Sequence, residues 1–309
     1  MSNTKTVLIL GATGSIGAFA ARAFVAAGWR VLALVRPGKS PHLPQGVTAI
    51  AANLFDTADA VQAVGPVDVV FNGLNAPYPD WPKALLPLFT AAADLSEALN
   101  ARQIYPGSVY NFGSAMPTDL TPATPFAATT VKGRLRVAIE LMFQQRAAQG
   151  RLKTIVLRAG DFIGDGAKNS WMSALVAKDV KKGIITTPGK ADTVHAWAYL
   201  PDVAEILVRL ADAEQGLKPY EVFHFDNHNV SAQDLAAAAS AVLRRKVRVT
   251  HMPKIVFSIF GMFDPFMKAT IEMLYLWDVP HALKDDRLER VVGPLPRTPL
   301  ADIMAELAK

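Results

Sequence analysis

Apolar and polar positions in the first half of the chain fall into blocks that predict strands followed by helices. Four apolar residues, Val7–Leu10, lead into Gly11, Gly14 and Gly17, and an alanine-rich stretch then runs to Gly28. An apolar run, a glycine turn and a helix-length segment predict a strand–turn–helix unit. Similar blocks recur as far as residue 157, so we predict an α/β fold of the Rossmann type, with a doubly wound parallel sheet.

The remaining elements of this half follow one another closely. Strands are expected at 30–36, 47–51, 67–72, 108–112 and 154–157, and helices at 57–64, 83–102 and 130–149. Asp56 is the predicted N-cap of the first of these helices, and Thr129 or Thr130 that of the last.

Beyond Gly164 the pattern becomes mixed. We predict a helix at 170–182, strands at 184–187, 222–225 and 247–250, an N-cap at Asp202 and a capping box at Ser231. The apolar stretch 252–277 predicts helices over a substrate cleft, although core packing would explain most of its residues. We expect one unit, with a dinucleotide-binding core at about 1–160 plus 194–229. A smaller C-terminal substrate lobe is expected at about 161–193 plus 230–309.

Composition excludes several classes of protein. A hydrophobic content of 51% and a charged content of 19% over 309 residues exclude a disordered chain. The absence of cysteine excludes disulfides, thiol nucleophiles and cysteine-ligated zinc, and no metal site is predicted. The net charge of +5 is spread along the chain, which argues against a nucleic-acid partner. The longest apolar run, 255–263, is too short to span a bilayer. With a strand predicted so near the start, we expect a cytoplasmic protein.

The glycine run predicts a dinucleotide site. Gly11 permits the tight turn, Gly14 allows backbone to approach a pyrophosphate, and Gly17 lets helix and strand pack closely. Free N–H groups of the helix N-terminus would face the phosphates, so Thr13, Ser15 and Ile16 belong to the predicted site. The alternative is a glycine-rich turn that binds nothing.

The end of the second strand carries information about the nucleotide. An acidic residue about twenty positions past the glycines would bind the ribose 2′-hydroxyl of NAD. Arg36 stands in that place, and no Asp or Glu precedes Asp56. A guanidinium matches the oxygens of a 2′-phosphate, so we predict NADP(H) in preference to NAD(H). The alternative is a solvent-exposed arginine at a strand end.

Further motifs follow the glycine run: Asn53-Leu54, a strand ending at Ser114, Lys132 on its helix, and the segments 158–164, 197–204 and 286–300. Through these motifs nearly the whole chain resembles the short-chain dehydrogenases/reductases, in the extended or atypical branch that includes the NAD-dependent epimerase/dehydratases. The resemblance implies that Asn53 and Leu54 border the adenine and that Gly73, Leu74 and Asn75 line the cofactor, with Asn75 also a substrate candidate. It also implies a substrate-orienting hydroxyl at Ser114, for which a simple turn residue is the alternative.

The catalytic motif departs from this resemblance at one position. Relatives carry a tyrosine four residues before the lysine, and Lys132 fits the lysine, but Ala128 stands in the place of the tyrosine. The resemblance implies that Lys132 contacts the ribose or nicotinamide, and Lys132 shares a helix face with Arg136 and Glu140. The alternative is a solvated, salt-bridged stripe.

Three interpretations remain open. Lys132 with water or another acid could act, as in the lysine-dependent relatives that resemble isoflavone reductase, or Tyr199 or Tyr78 could enter from a loop. Alternatively the chain binds NADP without catalysis, as NmrA-like redox sensors do. Fold analogy favours an enzyme, an oxidoreductase or epimerase/dehydratase-like protein acting on a carbonyl or hydroxyl of a small or nucleotide-linked substrate.

The segment 194–199 offers further substrate contacts. As a strand it would place His195, Trp197 and Tyr199 on one face, and Asp161 lies where the resemblance implies a substrate-side loop. Aromatic packing on a neighbouring loop is the alternative for the strand. The helices at 83–102 and 130–149 correspond to those that pair in many dimers of the family, so a homodimer is plausible.

Overall fold

The structure is a computed structural model that describes residues 4–167 and 170–309. Its strands, in chain order, are β1 (Thr6–Leu10), β2 (Arg30–Val35), β3 (Val47–Ala51), β4 (Val69–Asn72), β5 (Arg102–Gly107), β6 (Asp119–Leu120), β7 (Thr154–Arg158), β8 (Asp161–Ile163), β9 (Ile184–Thr187), β10 (His195–Tyr199), β11 (Tyr220–His224), β12 (His228–Val230), β13 (Arg248–His251) and β14 (Ala282–Leu283).

The α-helices are α1 (Ser15–Ala26), α2 (Thr57–Val64), α3 (Trp81–Ala98), α4 (Val131–Ala148), α5 (Leu200–Asp212), α6 (Ala232–Leu243), α7 (Ile255–Phe260), α8 (Pro265–Thr270), α9 (Asp286–Val292) and α10 (Leu300–Leu307). Short 3₁₀ turns lie at Tyr78–Asp80, Val109–Phe112, Val180–Lys182, Glu214–Gly216 and Ile271–Trp277, and a π-helical turn lies at Met172–Val176. Among the described residues, none of these helices is both long and apolar enough to cross a bilayer.

The central sheet has seven strands in the order β3-β2-β1-β4-β5-β7-β11, and every neighbouring pair is parallel. One face packs against α1 and α5, and the other packs against α2, α3 and α4. The predicted Rossmann-type, doubly wound sheet is therefore confirmed. The strand order reverses between β1 and β4, which is where ligands bind in folds of this type.

Several predicted helix starts are confirmed by their caps. The Asp59 N–H donates to the Asp56 carboxylate at 3.1 Å, which opens α2. The Gly133 N–H donates to Thr130 Oγ1 at 3.0 Å, which opens α4, and Ser231 opens α6 with a capping box. Each cap satisfies a backbone N–H that a helix N-terminus leaves without an internal partner.

The fifth strand differs from its prediction. It runs from Arg102 to Gly107 rather than over 108–112, which form a 3₁₀ turn. The preceding helix ends at Ala98, and Asn100 adopts a left-handed φ of 49° that turns the chain into the strand. The buried Arg102 is tolerated at the strand start because its guanidinium donates to Glu214 at 2.9 Å.

Three smaller predictions in the second half also need correction. Tyr199, not Asp202, precedes the first residue of α5, because the Asp202 carboxylate instead accepts hydrogen bonds from Thr298 and Asn227. The continuous helix expected at 170–182 is a π-helical turn followed by a 3₁₀ turn. The last sheet strand starts two residues earlier than predicted, at Tyr220.

A smaller lobe lies beside the sheet and has its own core. This core gathers apolar residues from the 163–185 region, from α6 and from α10 around Trp197 and Trp277. Helix α9 belongs to the other side, because its Leu288 joins the core between the sheet, α1 and α5. The C-terminal residues therefore contribute to two hydrophobic cores, that of the smaller lobe and that between the sheet, α1 and α5.

Candidate functional site

A cleft of about 920 Å³ opens at the carboxyl ends of the central strands, between the sheet and the smaller lobe. One end is formed by the turn after β1, and its floor by the residues that follow β4, β5 and β7. Its far wall comes from the 170–178 region and from α7 and α8. The cleft thus lies at the point where the strand order reverses, as expected for a ligand site in an open α/β sheet.

The turn between β1 and α1 leaves no room for a side chain at Gly11 or Gly17. Gly11 has a φ of +83°, and a Cβ there would lie 2.7 Å from the Gly73 carbonyl oxygen. A Cβ on Gly17 would lie 2.1 Å from the Gly11 carbonyl oxygen. The Gly14 N–H closes the turn by donating to Gly11 at 3.0 Å. Gly11 and Gly17 support the turn from behind, and Thr13–Ile16 line the cleft.

This cradle fits a pyrophosphate. Only glycine can occupy Gly11 and Gly17, and Thr13–Ile16 line the cleft at the N-terminus of a twelve-residue helix. The N–H groups of a helix N-terminus and the positive end of the helix dipole favour anions at such a position.

The residues predicted to lie near the adenosine are set apart from the cleft. Arg36 is exposed directly after β2, and its carbonyl accepts the Lys39 N–H at 3.1 Å. Asn53 Oδ1 accepts the Phe55 N–H at 3.1 Å, and the Asn53 N–H donates to the Asp59 carboxylate at 3.3 Å. Leu54 packs on the core beneath α2 and α3. Both Arg36 and Asn53 therefore remain accessible to a ligand at the edge of the sheet.

Residues that directly follow β4 line the cleft. Gly73, Leu74 and Asn75 all face it. The Leu74 N–H donates to the Asn72 side-chain oxygen at 3.4 Å, and the Asn72 amide donates to Gln103 at 3.0 Å. This buried pair fixes the path of the chain as it leaves the sheet.

A serine at the end of β5 that lines the cleft is Ser108, which sequence reasoning missed. Ser114 is exposed beyond the 3₁₀ turn, and its N–H donates to Thr129 Oγ1 at 3.2 Å. Ser108 directly follows β5 and lines the cleft. Its Oγ is buried and has no hydrogen-bond partner among the described residues. The misplaced fifth strand explains the error, since the strand end is Gly107 rather than Phe112.

Two tyrosine hydroxyls meet at the floor of the cleft. Tyr78 Oη and Tyr110 Oη share a hydrogen bond of 2.8 Å, and both residues line the cleft. Burial raises the pKa of Tyr78 to about 12 and raises the pKa of Tyr110 well above its usual value. Both phenols are therefore protonated at neutral pH. Sequence reasoning considered Tyr78 but not Tyr110, whose position depends on the 3₁₀ turn.

Lys132 lies behind this pair rather than in the cleft lining. Its buried Nζ donates to Glu272 at 2.6 Å and lies 5.2 Å from the centre of the Tyr78 ring. Ala128 is half-buried beside Gly133. Since Lys132, Arg136 and Glu140 are all buried, the alternative of a solvated stripe is wrong.

Each residue of the buried stripe has a specific partner. Arg136 lines the cleft and donates to Tyr105 Oη at 2.6 Å. Glu140 pairs with Arg158 at 2.6 Å and accepts from Asn111 at 2.9 Å. This network lies beneath the 3₁₀ turn that presents Ser108 and Tyr110.

Asp161 faces the cleft and is held from behind by His195. The His195 Nε2–H donates to the Asp161 carboxylate at 2.8 Å, and the imidazole stacks on Trp277 with ring centroids 4.9 Å apart. Tyr199, further along β10, donates to Glu306 at 2.7 Å. His195 and Tyr199 therefore pack in the lobe, whereas Asp161 alone of the three lines the cleft.

The His281 ring packs with His195 and Trp277 in one buried cluster behind Asp161. His281 lies 4.4 Å from His195, centroid to centroid, and its Nδ1–H donates to the Val279 carbonyl at 2.9 Å. Burial, with the neighbouring His195, lowers the pKa of His281 to about 3. In the described part of the chain, no three His, Asp or Glu residues are grouped so as to hold a metal ion.

Comparison with known proteins adds a family and a set of structural neighbours. The model of the NAD dependent epimerase/dehydratase family matches residues 7–224. The dTDP-6-deoxy-L-talose 4-dehydrogenase (NAD(P)(+)) of Kitasatospora kifunensis is 27% identical over 182 residues, 56% of this chain and 57% of its own. The phenylcoumaran benzylic ether reductase TP7 of Nicotiana tabacum is 33% identical over 152 residues, 45% of this chain and 46% of its own. The chain thus spans about half the length of the curated relatives it matches.

Solved structures share the fold over the full length. The UDP-glucose 4-epimerase of Bifidobacterium longum, in complex with NAD+ and UDP, superposes with a TM-score of 0.74 at 17% identity. That superposition covers 98% of this chain and 97% of the epimerase. The likeness includes the smaller lobe as well as the central sheet.

Proposed function

Because this chain belongs to the NAD dependent epimerase/dehydratase family, we propose that it is an NADP(H)-dependent enzyme acting on a carbonyl or hydroxyl group of a small molecule. Family membership confirms the predicted resemblance and supports an NAD(P)-dependent oxidoreductase or epimerase. One observation carries the proposal: the glycine cradle at one end of the 920 Å³ cleft faces hydroxyl groups on the floor of the same cleft.

Different residues of the chain bind different parts of the dinucleotide. The Thr13–Ile16 segment at the N-terminus of α1 would hold the pyrophosphate, and Gly73 and Leu74, which line the same cleft, would border the nicotinamide half. Arg36 pairs with a 2′-phosphate, since it is exposed at the end of β2 and free to turn toward the nucleotide. When bound, the nicotinamide supplies or accepts the hydride.

The NADP preference is tested by replacing Arg36. In calorimetric titrations, Arg36→Ala should lower the ratio of NADPH to NADH affinity by about tenfold, because a charge-assisted hydrogen bond is lost. Arg30→Ala is the matched control, since Arg30 is exposed at the opposite end of the same strand. An unchanged ratio in Arg36→Ala would contradict the preference.

The hydroxyl of Tyr110 takes the place of the missing phenol. A substrate oxygen gains the Tyr110 proton, and the Tyr78 proton passes to Tyr110 across the 2.8 Å hydrogen bond. The phenolate is then on Tyr78 until solvent returns a proton. The buried Arg136 guanidinium lowers the free energy of the phenolate that forms, although burial of the phenols opposes its formation. Ser108 Oγ, which has no partner among the described residues, orients the same oxygen.

A second function is favoured by the surroundings of Lys132. The ion pair with Glu272 and the absence of a phenol at Ala128 are consistent with a chain that binds NADP without turnover and acts as a redox sensor. NADPH oxidation with a panel of aldehydes, ketones and quinones distinguishes the two functions. Tight NADPH binding without any turnover would favour the sensor.

A homodimer through α3 and α4 is proposed from their outer faces. Leu86 on α3 and Leu141 on α4 are both exposed, and exposed apolar side chains on adjacent helices can form an interface. Elution at the mass of two chains in size-exclusion chromatography with light scattering would support the dimer, whereas a monomer mass would contradict it.

A further inference from the structure

We infer that the lobe side of the cleft binds the apolar body of a lipophilic, ring-containing ketone or alcohol, and not a sugar nucleotide. This inference rests on the proposed function and narrows its substrate. It follows from the chemistry of the wall, from the charges along it and from the way the wall continues to the surface.

The wall is built almost entirely from apolar side chains. Its lining residues in the 170–178 and 252–270 regions are mostly apolar and include Trp171, Leu175, Phe257, Phe260 and Phe266. The polar members of the wall are Ser170, Lys178, Thr270 and the Asp161 carboxylate on β8. Aromatic rings meet across it: Trp171 and Phe257 lie 6.0 Å apart between centroids, and Tyr78 stacks on Phe266 at 5.7 Å. Such a surface buries apolar area and offers ring faces for stacking.

The polar members do not make a site for a diphosphate. Thr270 Oγ1 donates to the Met267 carbonyl at 2.7 Å within its own helix. Lys178 is the single cation that the lobe contributes to the described lining, and it is exposed. Phosphate recognition normally uses several donors, with arginine forks among them. A nucleotide diphosphate on this wall would therefore be poorly neutralised.

The remaining cations of the cleft lie elsewhere or are engaged. Arg22 is on α1, on the side of the glycine cradle. Arg136 donates to Tyr105 at 2.6 Å and stacks 4.6 Å above the Trp81 ring, so its guanidinium is held on the floor. Neither residue belongs to the lobe wall.

The apolar wall continues to the protein surface. Phe260 lines the cleft and is 57% exposed, and Phe266 also lines it and is 39% exposed. Beyond them, Met262 and Phe263 form the tip between α7 and α8 and are still more exposed. A contiguous exposed apolar patch marks a binding surface, and its continuity with the cleft identifies the occupant as a molecule that enters the cleft.

The polar groups at the inner end of the cleft limit how many polar atoms a substrate can place there. Ser108, whose Oγ is buried without a partner among the described residues, lines the same cleft as the hydrogen-bonded Tyr78–Tyr110 pair. Three hydroxyls suit one carbonyl or hydroxyl oxygen, which accepts or donates two or three hydrogen bonds. A compound with one such oxygen on an apolar ring system matches both the hydroxyl groups of the floor and the apolar wall of the lobe.

The test measures binding directly, with 1-tetralone as the apolar ketone and UDP-glucose as the sugar nucleotide. Calorimetry on the full chain, with and without saturating NADPH, should show one 1-tetralone site per chain and no measurable UDP-glucose binding. Phe260→Ser and Phe266→Ser should each weaken 1-tetralone binding about tenfold, since each removes apolar contact.

A matched control locates the site. Ile259→Ser should leave 1-tetralone affinity unchanged, because Ile259 is 49% exposed on α7 beside Phe260 but lies outside the cleft lining. An equal loss in Ile259→Ser, or several sites per chain, would show nonspecific adsorption and overturn the inference.

The outcomes separate this inference from the proposed function. If NADPH binds but 1-tetralone does not, or if UDP-glucose binds tightly, the apolar site is wrong and the dinucleotide function stands. If NADPH fails to bind, the proposed function itself fails, whatever the result with the ketone.

Discussion

The two ends of the cleft are built in different ways. At the proposed phosphate end, glycines shape the turn: neither Gly11 nor Gly17, which contact each other closely, has room for a side chain, and Thr13–Ile16 line the cleft beside them. At the substrate end, side chains from β8, the 170–178 region, α7 and α8 provide the surface, over a floor that presents Ser108 and Tyr110. A single substitution should therefore abolish dinucleotide binding at the first end, but only reduce substrate binding or turnover at the second.

The largest effect on stability is expected from the buried ion pair beneath the floor of the cleft. Glu140 and Arg158 are almost fully buried and pair at 2.6 Å. Glu140→Ala would leave the Arg158 guanidinium buried without its carboxylate, which destabilises a fold by about 3–5 kcal/mol. Urea denaturation should show this loss in the free energy of unfolding. Glu205→Ala, which breaks the exposed pair with Arg209, should change it by less than about 1 kcal/mol.

A loss in Glu140→Ala no larger than in Glu205→Ala would show that the floor does not depend on this pair. The Asn111 amide, which donates to Glu140 at 2.9 Å, would then have to be held by other contacts. The 3₁₀ turn that carries Ser108 and Tyr110 would be more independent of α4 than the structure indicates.

Residues at the two ends also differ in how far the sequence predicts them. The glycine spacing, the strand before it and the helix after it are local, so β1, the turn and α1 were all predictable. The substrate end depends on contacts far apart in sequence, such as Lys132 with Glu272 and Asp161 with His195. No local pattern reveals those partners.

The fifth strand shows a second limit. β5 contains Arg102, Gln103, Pro106 and Gly107, which are unusual in a buried strand, and the more apolar stretch 108–112 was predicted instead. Tertiary contacts reverse that preference, because Arg102 is neutralised by Glu214 and Gln103 is bonded to Asn72. The shift moved the predicted hydroxyl from Ser108 to Ser114.

A substitution at the phosphate end tests whether the backbone alone defines it. In Gly17→Val, the added side chain would collide with the Gly11 carbonyl and force the turn apart. NADPH affinity should fall about 100-fold or more in calorimetric titrations. Gly28→Ala is the control, since nothing lies within 4 Å of a Cβ there. Its left-handed φ should reduce stability by about 1–2 kcal/mol without changing NADPH affinity.

The proton donor gives a test at the substrate end. Tyr110→Phe should lower the turnover of a carbonyl compound reduced by the parent enzyme about 100-fold, the usual contribution of a general acid. NADPH affinity should be unchanged, because the hydroxyl faces the floor rather than the glycine turn. Tyr220→Phe, on β11 and outside the cleft lining, should have no effect. Equal turnover in Tyr110→Phe and the parent would point to Lys132 or water instead.

A graded effect is expected from acid, acting through the histidine cluster behind Asp161. The pKa of His281 is lowered to about 3 in the folded chain, whereas an unfolded histidine titrates near 6.5. Between these values the unfolded chain binds a proton that the folded chain does not. His281 therefore contributes stability above about pH 6.5 that is lost as the pH falls toward 3, by up to about 1.4 kcal/mol per pH unit.

His281→Asn should reduce the slope of unfolding free energy against pH between 6 and 4, whereas His42→Asn, at an exposed site, should leave it unchanged. The buried His224, whose pKa is also lowered to about 3, keeps part of the slope in both variants. If His281→Asn retained the full slope, the acid sensitivity would come from His224 beneath the sheet floor, and the cluster around Asp161 would tolerate a protonated His281.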